Sequence, residues 1–109
     1  MKPATLFDLV ADDDFAYLFV VVVTPQYTAL RAQLAAVDGA RRTSTGVVLP
    51  NGSIVVAISP ESPIMTIDGM IVHVAIIDGE CGPLRDVLRI RTMRNGGRTL
   101  LTSLTLVQA

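Results

Sequence analysis

The sequence predicts a single α+β domain over residues 1–109, with a mostly antiparallel sheet of about five to seven strands and one or two helices packed on one face. Three observations carry that expectation. Residues 15–24 are apolar almost throughout, as in a central strand covered on both faces. A helical stripe follows at once, formed by Tyr27, Leu30, Leu34 and Val37. After Gly39 the chain runs in short apolar segments divided by Asn-Gly, Asp-Gly and Pro-rich turns, the pattern of successive hairpins.

Taken in order, residues 3–10 suit a short helix, with Pro3 in its first turn and Leu6, Leu9 and Val10 on one face. Asp12, Asp13 and Asp14 end it. The strand over 15–24 leads into Thr24-Pro25, where Thr can cap a helix and Pro suits its first position. Asp38-Gly39 stops that helix. Residues 47–49 and 54–58 flank Pro50-Asn51-Gly52-Ser53, the strongest hairpin signal in the chain. Residues 64–67 and 70–77 read as a second hairpin around Asp68-Gly69, and 85–94 and 98–107 as a third around Asn95-Gly96-Gly97. One segment supports two readings. Leu88, Ile90 and Thr92 alternate with Arg89, Arg91 and Met93 as in a strand, while Leu84, Val87, Leu88 and Arg91 also fit a helical face that Pro83 would start.

Residues 34–41 (LAAVDGAR) followed by 46–59 (GVVLPNGSIVVAIS) superficially resemble the helix and first hairpin of Roadblock-type dimerisation domains. The likeness ends after Pro60, where such a domain has a long second helix and this chain has Pro63 and strand signals.

Composition narrows the function classes. Half of the residues are hydrophobic and 17% are charged, against about 25% charged in ordinary soluble domains. Disorder needs the opposite balance. The apolar surplus serves either a tight aliphatic core or a contact with another copy of the chain. The longest apolar run, residues 15–23, is about half the roughly 20 residues of a membrane-crossing helix. The N-terminus carries no secretory signal pattern, and the single cysteine, Cys81, fits a reducing compartment, so a cytoplasmic location is expected.

No phosphate loop, dinucleotide fingerprint, paired-cysteine motif or nucleophile elbow is present. His73 is the only histidine and Cys81 the only thiol, which makes them weak candidates for a base and a nucleophile. Four strand positions before the loop that holds Cys81, His73 would stand about 13 Å or more away. A histidine bonded to backbone or carboxylate is the plainer expectation. Asp12, Asp13 and Asp14, with Asp8, are weak candidates for a divalent metal, but their spacing fits no calcium loop, and a solvated turn is the simpler role.

The arginines are the most informative group. Residues 84–109 hold Arg85, Arg89, Arg91, Arg94 and Arg98 against Asp86, a local charge of +4. Residues 1–38 hold Lys2 and Arg31 against Asp8, Asp12, Asp13, Asp14 and Asp38, a local charge of −3. On a strand, Arg85, Arg89 and Arg91 share a face that suits an acidic protein partner or a second subunit. Nucleic acid is disfavoured by the net charge of −1 and by only two Tyr and three Phe for stacking. The expectation is a non-catalytic assembly or protein-binding module, self-associating, with no cofactor and of a bacterial or phage structural or accessory kind. The rival is a small ligand-binding domain or enzyme with an apolar cavity near His73, completed by Tyr17 or Tyr27 and an Asp.

Overall fold

A computed structural model describes residues 4–5, 10, 17–44, 46–63, 67, 71–79, 82–94, 98–101 and 104–105. The main elements are β2 (Phe19–Val23), α1 (Tyr27–Ala35), β3 (Arg41–Arg42), β4 (Gly46–Val48), β5 (Ile54–Ile58), β6 (Val74–Ile77), α2 (Pro83–Arg94) and β7 (Arg98–Leu101). A separate parallel pair joins β1 (Ala4–Thr5) to β8 (Leu104–Thr105).

The main sheet has the order β3-β4-β5-β2-β6-β7. Five of its strands have three or more residues, and β3 is a two-residue edge. The expected mixture of helix and strand is present, but the sheet is mixed and not mostly antiparallel. Strands β5, β2, β6 and β7 run parallel, while β4 and β3 are antiparallel additions at one side.

Strand β2 lies at the centre because it can be buried on both faces. Val20, Val21, Val22 and Val23 are all inaccessible to solvent, and β-branched side chains suit such a strand. Alternate residues point to opposite faces. Val20 and Val22 join Val55, Ala57, Val74 and Ile76 beneath Leu30 and Leu34 of α1. Val21 and Val23 join Val56, Ile58, Ala75 and Ile77 beneath Leu84 and Leu88 of α2. The two helices therefore cover opposite faces, which corrects the expectation of helices on one face. A sheet apolar on both sides exposes a large apolar area unless each side receives a cover.

Other expectations change with this. Ala4 and Thr5 are in a strand, where a helix over 3–10 was expected. The helix α1 starts at Tyr27, so Pro25 lies in the preceding turn; the Thr24 hydroxyl accepts the Gln26 N–H at 3.1 Å and does not cap the helix itself. Residues 74–77 pair in parallel with β2 from Val20↔Val74 to Val23↔Ile77, so the expected 70–77 hairpin arm is a parallel strand. Residues 83–94 are helix, not strand. Leu84 and Leu88 are buried, Val87 is half-buried, and Ile90 is 48% exposed.

The hairpin between β4 and β5 forms as the sequence indicates. Gly52 has φ +88°, a conformation that favours glycine, and Asn51 Oδ1 accepts the Ser53 N–H at 3.0 Å. Gly46 is required for a different reason: a Cβ there would overlap the Val55 carbonyl.

Candidate ligand-binding site

The strand order determines where a crevice can open. From β2 the chain crosses by α1 over one face to reach β5, while from β6 it crosses by α2 over the other face to reach β7. Because β2 and β6 are neighbours, their following connections depart to opposite sides, as right-handed crossovers require. In open parallel sheets this switch point, at the carboxyl ends of the strands, is where ligands sit.

Polar groups converge there. Thr24 follows β2 and Asp78 follows β6. Thr24 is fully buried, and its hydroxyl donates to Asp78 Oδ2 at 2.7 Å. The ladder continues through this pair, with Thr24 N donating to Ile58 O at 3.1 Å and Asp78 N to Val23 O at 2.9 Å. Asp78 itself is half-buried, and its second oxygen has no hydrogen-bond partner among the described residues.

An open cleft of about 950 Å³ begins at Pro25, the residue after Thr24; Thr24 and Asp78 are not among its lining residues. Pro25 and Tyr27 line it after β2, Ser59, Pro60, Glu61, Ser62 and Pro63 after β5, and Gly82, Pro83 and Leu84 at the start of α2. All three contributions come from the carboxyl ends of parallel strands. The loop after β5 is held by its own bonds: Glu61 N donates to Ser59 Oγ at 3.1 Å, and Ser62 N to Ser59 O at 3.0 Å. Gly79 and Gly82 take positive φ, and a Cβ at either would meet only open space. Their requirement is conformational.

Arg31 supports the cleft wall from behind. Its Nε and Nη2 both donate to Ala57 O, at 2.9 and 2.6 Å. Strand β4 ends at Gly46, opposite Val56, so Ala57 has no β4 partner and the guanidinium takes that place. The same guanidinium lies 5.3 Å from the centre of the Tyr27 ring.

Comparison of the chain with family models, with curated proteins and with solved structures gives no match.

Of the described residues singled out from sequence, Tyr27 lines this cleft and His73 does not. His73 lies at the opposite, amino edge, where its Nδ1 accepts the Phe19 N–H at 3.0 Å and its own N–H donates to Phe19 O at 3.0 Å. It extends the β2–β6 ladder by one residue, which is the plainer role expected for it, and the cleft is not beside it. Cys81, Asp8, Asp12, Asp13 and Asp14 lie outside the described residues. Among the described residues no three His, Cys, Asp or Glu side chains gather to hold a metal.

The arginine face changes with the helix. Arg85 and Arg89 are exposed and four residues apart, so they share one side of α2. Arg91 is half-buried and stands about 200° around the helix from Arg89, which removes it from that side. The backbones of Arg94 and Arg98 belong to α2 and β7, and their side chains lie outside the described residues. Thr24, Asp78 and Arg31 are the positions that sequence reasoning missed as a group. The signal for the first two was the polar residue that ends each apolar run.

Proposed function

We propose that this chain is a small-molecule-binding domain whose ligand occupies the cleft at the carboxyl edge of β2, β5 and β6. The supporting observation is the occurrence at one sheet edge of three features: the switch point between β2 and β6, the open cleft, and a half-buried carboxylate on Asp78 whose second oxygen has no partner among the described residues. This is the ligand-binding alternative from the sequence, with its site moved from His73 to the opposite edge. Asp78 orients the ligand by accepting a hydroxyl, amine or amide N–H, while Ser59, Ser62 and the prolines shape its outline. Backbone amide NMR with a library of small polar compounds tests the reading. Saturable shifts are expected at Ser59, Ser62, Asp78, Gly82 and Leu84. Shifts confined to Tyr17, Ile71 and His73 at the amino edge would remove it.

A second reading is favoured by one observation on α2. Ile90 and Met93 are 48% and 71% exposed on the side away from the sheet, where Asp86 and Arg89 each stand one turn before them. An exposed apolar pair with Arg85 and Arg89 on one side and Asp86 on its own face fits a second copy of this chain or a protein partner, the assembly role that composition suggests.

A further inference from the structure

We infer that the ligand of this cleft carries a flat aromatic or heteroaromatic ring, which stacks on Tyr27. The inference rests on the small-molecule reading above and gives that ligand a chemical class. Among the described residues Tyr27 is the only aromatic side chain lining the cleft, and four of the others are prolines, Pro25, Pro60, Pro63 and Pro83. Proline rings are compact, rigid and apolar, so with Tyr27 they give the cleft an apolar lining that an aromatic ring can lie against. Such a contact gains from stacking, which has offset geometries worth more than area burial alone.

The Tyr27 ring is held in place as a platform should be. It is half-buried at the start of α1 and packs against the core cluster on that side of the sheet. The Arg31 guanidinium covers one face of the ring at 5.3 Å and is tied by two bonds to Ala57 O, so a ligand stacks on the opposite face. Arg31 is thus a positioning residue for the platform: it fixes the ring before the ligand arrives, and less side-chain freedom is lost on binding. At the far side of the switch point Asp78 offers its acceptor, so a ring bearing an N–H or a hydroxylated substituent satisfies both ends of the site.

The test uses the whole chain carrying Tyr17→Phe. The chain has two tyrosines and no tryptophan, so Tyr27 then gives the only tyrosine ring signals. Adenosine, uridine and nicotinamide are the ring probes, and ribose is the ring-free control. Saturable upfield movement of the Tyr27 ring protons is expected with at least one ring probe and not with ribose. In the otherwise native chain, Tyr27→Leu should weaken that probe by about tenfold, while Tyr27→Phe keeps its affinity within about twofold. Arg31→Lys keeps the charge but loses the fork on Ala57 O. It should broaden the Tyr27 ring signals, which a merely structural arginine would leave sharp in a folded protein. Shifts of the Ser59 and Gly82 amides without movement of Tyr27 would overturn the stacking inference and leave the cleft standing. Absence of shifts at the cleft with every probe would overturn both.

Discussion

His73 and Thr24 show how two polar residues with similar prospects in the sequence receive different roles from position alone. His73 precedes β6 and meets the first residue of β2, so its ring nitrogen serves as a surrogate backbone acceptor for Phe19 N–H. That bond requires Nδ1 to be unprotonated, which places the ring hydrogen on Nε2. His73→Ala leaves the Phe19 N–H without its acceptor and should cost about 1–3 kcal/mol in urea unfolding. His73→Asn offers an oxygen near the same place and should recover most of the loss. Neither change should alter ligand affinity at the cleft; a loss of affinity in a stable His73→Asn protein would revive the histidine as a site residue. Thr24, at the other end of the same strand, joins the candidate site through Asp78. Both roles were hidden in the sequence because they depend on which strand lies alongside.

At the scale of elements, legibility followed the range of the interactions. The central strand, α1 and the β4–β5 hairpin were readable because burial period and turn chemistry are local properties. The helix α2 was not, because Leu88, Ile90 and Thr92 alternate with polar residues while Leu84 and Leu88 also stand one helical turn apart. Two periods fit the same twelve residues, and packing on the sheet decides for the helix. Leu88→Ala should therefore destabilise the domain by about 2–5 kcal/mol, and Val87→Ala should cost measurably more than Ile90→Ala. Ile90→Ala should stay within about 0.5 kcal/mol of the parent, as exposed substitutions do. Thermal melting of these three proteins provides the check, and a severe effect at Ile90 with none at Val87 would contradict the helix. The cleft was unreadable for a related reason. Its wall comes from three loops far apart in sequence, and Ser59, Gly82 and Tyr27 carry no shared motif.

For the whole molecule, the question is whether the apolar surplus is spent inside. Much of it is: aliphatic side chains fill two clusters, one on each face of the sheet. That weakens the compositional argument for association; among the described residues the exposed large apolar side chains are Ile90 and Met93 on α2 and Tyr17 and Ile71 elsewhere. Light scattering across a tenfold dilution at low salt tests what remains. If the α2 face joins copies, mass should fall on dilution, and Arg85→Glu with Arg89→Glu should shift the chain to monomer. A monomer at every concentration would leave the helix face to a protein partner of another kind. Membrane insertion by a helix has no support, since no described helix is long and apolar enough to cross a bilayer.

The parallel placement of β2 also governs how the chain comes to be folded. Val20 pairs with Val55 on one side and with Val74 on the other. During synthesis the most apolar strand is made early, and it must wait for both neighbours, the second separated from it by more than fifty residues. Loop closure must precede the reward of such distant pairing, which slows folding. The waiting strand is also a sticky surface. The β4–β5 hairpin, being local, can form first and offer β5 as an early edge for β2 to join, leaving β6 and α2 to close the second face last.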